Sequence, residues 1–277
     1  MIIKRLNSGF KMPALGIGTY GMGGDEQDED KSNDAECITA IRDAINLGYT
    51  HIDTAEVYGN GHTEELVGKA IDGYDRKKLF IATKVFKTNL KYDDVIISVK
   101  GSLKRMKTDY IDLCLIHSYN PDIPIKETIS AMNELVKKGL IKHIGVCNFS
   151  IEQLKEAQKY SKNKIVTNQM KYSLWAKTGP DLETIDYCQK NDIMVTAYKL
   201  FGRGKINTEK IPIISVLARK YNKTEAQIIT NWVVSKKNVV AIFKSVNKEH
   251  LKENLEALEF QIDDKDIQEL DSSLLKK

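Results

Sequence analysis

Eight short runs of apolar, often β-branched residues recur along the chain: "LGIGT" (15–19), "HIDT" (51–54), "LFIATK" (79–84), "YIDLCLIH" (110–117), "HIGVCN" (143–148), "IVTNQM" (165–170), "IMVTAYK" (193–199) and "VVAIFKS" (239–245). Between them lie segments with apolar residues at helical spacing, among them "DAECITAIRDAINLG" (34–48), "DDVIISVKGSLKRMK" (93–107), "IKETISAMNELVKKG" (125–139) and "IEQLKEAQKY" (151–160). Runs that are apolar on successive positions suit parallel strands buried on both faces by flanking helices. Eight strand–helix units in 277 residues predict an α/β chain closed into a (β/α)8 TIM barrel, a fold that reaches this length as one domain. The opening "MIIKRLNSGFKMPAL" reads as a β-hairpin turning at Asn7, Ser8 and Gly9 and closing the bottom of the barrel. No linker, low-complexity tract or repeat divides the sequence, so residues 1–277 are expected to form a single barrel domain.

Charge excludes some partners. Lys and Arg number 42 against 38 Asp and Glu, a net +4 that is too small and too scattered to attract nucleic acid or a membrane surface. Cys37, Cys114, Cys147 and Cys188 lie far apart, with neither a C-x-x-C pair nor Cys/His ligand spacing. Reduced buried thiols are expected, with no metal and no disulfide framework. No apolar stretch is long enough for a signal peptide or a membrane span, which predicts a cytoplasmic protein. Nothing in the sequence indicates an oligomer.

"GIGTYG" (16–21) matches the G-x-G-x-x-G of a dinucleotide-binding Rossmann unit. Asp53 lies well beyond the ~20 residues expected after such a motif, and the acidic run "DEQDED" (25–30) follows where a helix N-terminus should meet a pyrophosphate. A turn leaving the first barrel strand accounts better for these glycines.

In a barrel of this kind the C-terminal strand ends converge on the face where loops build the active site. Asp53 and Tyr58 follow the second strand, Lys84 closes the third and His117 the fourth. Singly, each has an ordinary explanation: an Asx turn, rim packing, a solvated strand end. Together they differ, because a buried lysine beside a buried aspartate must be paired. A phenol has a pKa near ~10 and donates protons poorly at neutral pH unless a neighbour adjusts it. Lys84 is expected to lower the Tyr58 pKa, Asp53 to keep Lys84 charged and oriented, and His117 to polarise a carbonyl oxygen.

The chain resembles the aldo-keto reductases over nearly its whole length, through "LGIGTYGMG", "HIDTAEVYGN", "IATKV", "SLKRMKTDYIDLCLIH", "GLIKHIGVCNFS", "NQMKYS", "TAYKLFGRG" and "FKSVNKEHLKENL" in order. The resemblance implies a barrel that binds NADP(H), with NAD(H) as an alternative, and transfers hydride directly to a carbonyl carbon without a metal. By motif it assigns Asp53, Tyr58, Lys84 and His117 to catalysis. Asn148 and Gln169 match the positions that hold the nicotinamide carboxamide, and Tyr198 the aromatic stacked on the ring. Gly18, Thr19 and Asp53 fall where the barrel mouth approaches the cofactor. Lys199, Leu200, Gly202 and Arg203 fall in the pyrophosphate loop, and Lys244, Ser245, His250, Glu253 and Asn254 around the adenosine phosphate and adenine.

Three departures from the family pattern carry expectations. Cys147 stands where a serine is usual, which removes a hydroxyl beside the carboxamide. Lys199, Leu200 and Phe201 replace Ser-Pro-Leu. His250 occupies the place of an arginine near the 2′-phosphate, and a neutral imidazole lacks the constant charge and bidentate grip of a guanidinium. Weaker discrimination against NADH follows, with Lys244, Lys248 or Lys252 holding the phosphate. Around the pocket mouth the resemblance puts Tyr20, Met22, Phe86, Tyr119 and Trp175, an apolar lining that suits small-molecule carbonyl substrates. Two other functions compete on the same fold. One is a nicotinamide-binding regulatory subunit without significant turnover. The other is an isomerase or aldolase using Lys84 as base or nucleophile.

Overall fold

Parallel strands β3 (Leu15–Gly18), β4 (His51–Asp53), β5 (Phe80–Val85), β6 (Ile111–Ile116), β7 (Ile141–Cys147), β8 (Ile165–Lys171), β9 (Met194–Tyr198) and β10 (Val239–Phe243) close into a barrel in chain order, with β10 pairing back onto β3. The computed structural model describes residues 2–175, 179–201, 206, 209 and 211–275. Strands β1 (Ile3–Arg5) and β2 (Lys11–Pro13) form the antiparallel hairpin ahead of the barrel. Its turn is held by Asp192, whose carboxylate accepts the Asn7 and Ser8 amides at 2.7 and 2.9 Å. All eight apolar runs of the sequence are strands, because each buries both faces.

Alternation along each strand sorts its residues into two cores. Outward residues such as Ile52, Ile81, Cys114, Ile116 and Val195 join the large cluster shared with the surrounding helices. Inward residues Ala82, Leu113, Leu115, Cys147, Val166, Met194 and Val240 form a second cluster, which Leu6, Phe10 and Met12 of the hairpin segment complete. The hairpin therefore plugs one end of the barrel with apolar side chains and leaves the other end to polar ones.

The helices that shape the polar end are α1 (Asp34–Leu47), α2 (His62–Ile71), α3 (Tyr92–Met106) and α9 (Lys248–Glu256). Helix α1 stops at Gly48, whose left-handed φ of 107° lets its amide close on the Ala44 and Ile45 carbonyls. Asn247 caps α9 by accepting the Glu249 and His250 amides. No helix begins within "GIGTYG": β3 leads into a loop and α1 starts only at Asp34, so the closed barrel replaces the Rossmann alternative. Among the described residues no helix is long and apolar enough to cross a membrane.

His51 lies two residues before Asp53 and faces the same interior. Gly16 makes room for it, since a Cβ there would stand 2.4 Å from His51 Nδ1. Neither ring nitrogen has a partner, and burial pushes the imidazole down to about 4, with Asp53 opposing. It is a neutral, space-filling group.

Candidate active site

Lys84 is fully buried at the end of β5. Its ammonium donates to Asp53 Oδ1 at 2.6 Å, to the Thr54 carbonyl at 2.7 Å and to Tyr58 Oη at 3.4 Å. Three donors thus meet three acceptors, which is what burying an ammonium requires. Burial works to lower the Lys84 pKa, but Asp53 and Tyr58 together outweigh it and hold the group above the ordinary lysine range. Asp53 is fixed on its other side by Gln169 Nε2 at 2.8 Å, while its backbone carbonyl accepts the Thr19 amide and hydroxyl, each at 3.0 Å.

Tyr58 is also buried, 7% exposed. Its ring meets Tyr20 and His117 edge-on, with centroids 5.2 and 5.6 Å away. The turn carrying it is locked from the β3–α1 loop: Glu26 bridges Tyr58, the Gly59 amide donates to Asp25 at 2.7 Å, and the Gln27 amide donates to Val57 at 3.0 Å. Gly59 has φ 54°, and a Cβ there would stand 2.4 Å from the Gly23 carbonyl oxygen. Only glycine suits that contact.

Burial pushes the Tyr58 phenol up to about 12, while Lys84 pulls the other way without prevailing. This overturns the expectation that the cation brings the phenol below its free value. The group stays protonated at neutral pH, and Lys84 limits how far desolvation raises it. His117 follows β6 and is anchored by its amide to the Val85 carbonyl at 2.9 Å. Burial, then the Lys84 charge, pushes its imidazole down to about 3, so the ring is neutral and carries one N–H. Its Nδ1 is buried without a partner.

The four candidate catalytic residues therefore stand together. Of the candidate cofactor contacts, Gly18 pairs with Asp53 at the barrel mouth, and Gln169 places its amide between Asp53 and Cys147, whose thiol donates to Gln169 Oε1 at 3.7 Å. Burial raises the Cys147 pKa and keeps it a neutral thiol. Asn148, left-handed at φ 55°, accepts the Tyr198 hydroxyl at 3.0 Å. Lys199 is exposed, also with a positive φ of 57°. At the far end, exposed Lys244 and half-buried Ser245 precede the capped N-terminus of α9. On the flank of that helix a cavity of about 460 Å³ is lined by residues including Gln227, His250, Lys252 and the carboxylates of Glu249, Glu253 and Glu256. Lys248 is paired with Asp43 at 3.1 Å and Lys252 with Glu256 at 3.9 Å, whereas among the described residues no ion pair engages Lys244.

Some of the assigned side chains are buried or packed elsewhere. Thr19 is buried and spends its hydroxyl on Asp53, Leu200 is in the core, and Asn254 is buried with its Oδ1 accepting from Thr230 at 3.4 Å. Met22 is fully buried in the helix-side core. Tyr20, 49% exposed, and Phe86, whose ring stands 5.9 Å from that of His117, do border Tyr58. Tyr119 packs on Phe149, and Trp175 is half-buried against the main core. Gly202 and Arg203 lie outside the described residues.

Sequence reasoning missed Glu64, Arg105 and Thr83, whose bonded side chains lie behind Lys84 and Tyr58. It also missed Glu56, which accepts the Phe86 amide at 2.6 Å and Asn89 Nδ2 at 3.0 Å, shaping the loop after β5. In "HTEELVG" one carboxylate points inward, and its place three residues before a buried Val67 was the available signal.

A dinucleotide fits the donor set: a neutral imidazole with an unpartnered buried nitrogen, the side-chain amides of Gln169 and Asn148, and the exposed Lys244 ahead of a capped helix N-terminus. Among the described residues no cluster could hold a metal ion.

Known proteins match the chain over nearly its whole length. The model of the Aldo/keto reductase family matches residues 14–274. Methylglyoxal reductase YeaE of Escherichia coli (strain K12) is 34% identical over 266 residues, 95% of this chain and 91% of that protein. Glyoxal reductase of Bacillus subtilis (strain 168) is 32% identical, covering 97% and 91%. The crystal structure of the thermostable aldo-keto reductase Tm1743 superposes with a TM-score of 0.94 at 44% identity, covering 99% of this chain and all of that one. An aldo-keto reductase from Klebsiella pneumoniae in complex with NADPH gives 0.86 at 31% identity, covering 98% and 95%.

Proposed function

The chain belongs to the aldo/keto reductase family, and from that premise we propose that it is an NADPH-dependent reductase of small aldehydes and dicarbonyls with Tyr58 as proton donor. The observation that carries this reading is the Lys84 ammonium held between Asp53 at 2.6 Å and Tyr58 Oη at 3.4 Å in a buried site. The related proteins named methylglyoxal reductase and glyoxal reductase support the dicarbonyl class.

When bound, the reduced nicotinamide supplies a hydride to the carbonyl carbon. Tyr58 gives its phenolic proton to the carbonyl oxygen as charge develops there. An alkoxide is a far stronger base than a phenolate, so a phenol raised to about 12 still transfers its proton downhill. Lys84 stabilises the phenolate left behind, and Asp53 keeps Lys84 charged. His117, neutral, aims an N–H at the same oxygen without the cost of burying a second cation. Proton donation of this kind contributes about 10²–10⁴-fold. Asn148 and Gln169 orient the nicotinamide amide, and Tyr198 flanks its ring. Lys244, Ser245 and the α9 N-terminus hold the adenosine phosphate, with His250 replacing a permanent cation.

The test is turnover: purified protein, NADPH and a panel running from methylglyoxal to sugar aldehydes, followed by loss of reduced-nicotinamide absorbance. Oxidation of NADPH dependent on the carbonyl supports the reading. Cofactor binding with no turnover on any carbonyl supports a regulatory subunit, and activity without nicotinamide supports a lysine-based mechanism. His250→Arg should tighten NADPH binding and leave NADH binding unchanged, because a guanidinium adds a permanent charge and a bidentate grip beside the phosphate. Equal effects on the two cofactors would remove His250 from this role.

A further inference from the structure

Glu64, the third residue of α2, is fully buried, an unusual place for a carboxylate. Its Oε1 accepts the Thr83 hydroxyl, and its Oε2 accepts Arg105 Nε at 2.7 Å. Burial raises its pKa, opposed by Arg105, Thr83 and Ser102. None of these groups faces the barrel interior.

Each partner stands one step from a catalytic segment. Thr83 directly precedes Lys84, and alternation turns its side chain outward, toward α2, as Lys84 points in. Arg105 of α3 lies beneath the turn that carries Tyr58. Gly61 in that turn has φ 94°, and a Cβ there would stand 2.9 Å from Arg105 Cδ and 3.1 Å from Nε. The Gly61 amide in turn donates to the Tyr58 carbonyl at 3.1 Å, as the Thr63 amide does at 3.4 Å. Gly101 and Gly68 admit the same residue from two other sides: a Cβ on Gly101 would stand 3.0 Å from Arg105 Nη1, and one on Gly68 2.7 Å from the Arg105 carbonyl oxygen.

We propose that Glu64 is a positioning residue: from behind the site its carboxylate ties the strand bearing Lys84, through Thr83, to the turn bearing Tyr58, through Arg105, and so sets the Lys84–Tyr58 separation. This rests on the reading of Tyr58 as proton donor. A buried ion pair is weak evidence for stability, since well-packed apolar residues replace such pairs at little cost. It is well suited to fixing a distance, because both oxygens are directed and both partners are braced. Misplacement of a reacting group by about 1 Å can cost 10²-fold in rate.

The test is a double-mutant cycle between Glu64→Gln and Tyr58→Phe, read by kcat with methylglyoxal and by NADPH affinity from fluorescence titration. Glu64→Gln should lower kcat at least tenfold with NADPH affinity unchanged within twofold, and should cause no further loss in the Tyr58→Phe background. Thr83→Val, which keeps the packing and removes one hydrogen bond, should lower kcat in the same pattern and serves if Glu64→Gln does not fold. A kcat within twofold of the parent, or an equal loss in both backgrounds, would overturn the proposal and leave Glu64 a structural residue. Full activity in Tyr58→Phe alone would instead refute the proton-donor reading, an outcome the cycle records separately.

Discussion

Replacing Asp53 with asparagine keeps the shape of the site and removes the charge opposite Lys84. The lysine has no exposure, and its ammonium sits 2.6 Å from Asp53 Oδ1. Breaking a buried pair by deleting one partner leaves an uncompensated charge and costs about 3–5 kcal/mol. At roughly 2–4 °C per kcal/mol for a chain of this size, the melting temperature of Asp53→Asn should fall by about 6–20 °C at pH 7. The pH dependence has a definite sign. In the parent the Lys84 pKa is raised, so its contribution is fully present below the unfolded value of about 10.4 and is lost as pH rises through the raised one. In the variant burial acts unopposed by Asp53 and depresses that pKa, so stability climbs as pH rises toward the unfolded value. The gap between the two proteins should therefore narrow between pH 7 and pH 10. Adding Lys84→Met to Asp53→Asn removes the stranded cation and should recover most of the loss. Thermal melts by circular dichroism at the two pH values read all of this. A melting point within a degree of the parent at pH 7, or a double variant less stable than Asp53→Asn, would show that Asp53 does not compensate a buried charge on Lys84.

Two further outcomes follow from buried groups. His51, held at about 4 when folded against an ordinary value near ~6.5, contributes stability present above pH ~6.5 and lost as pH falls toward 4, worth about 3 kcal/mol; urea midpoints of His51→Leu should fall less steeply over that interval than those of the parent. Cys147→Ser replaces a 3.7 Å thiol contact to Gln169 with a stronger hydroxyl donor and should lower the KM for NADPH about 2–10-fold, the range of one hydrogen bond; an unchanged KM would show that this position does not act on the carboxamide.

The barrel was legible because each strand buries both faces: "LFIATK" and "YIDLCLIH" are apolar almost throughout, which no half-wet strand would be. The same alternation made Asp53, Lys84 and His117 visible, as polar groups at the ends of apolar runs. Side-chain direction in loops was not legible. Met22 and Thr19 follow β3 in "GTYGMG" beside exposed Tyr20, and only the fold of that loop sends two of them inward and one out. The Tyr58 pKa was misjudged in direction because one cation was counted and the surrounding apolar wall was not. Glu64 escaped notice because a carboxylate in the first turn of an amphipathic helix ordinarily faces water, and only the Arg105 and Thr83 partners, distant in sequence, show otherwise.

The central claim is that the Tyr58 phenol delivers the proton that completes carbonyl reduction. Single-turnover oxidation of enzyme-bound NADPH by methylglyoxal, compared between the parent and Tyr58→Phe alongside their NADPH dissociation constants, measures it directly. The rate should be at least 10²-fold slower in the variant, with cofactor affinity within twofold. An unchanged single-turnover rate would contradict it.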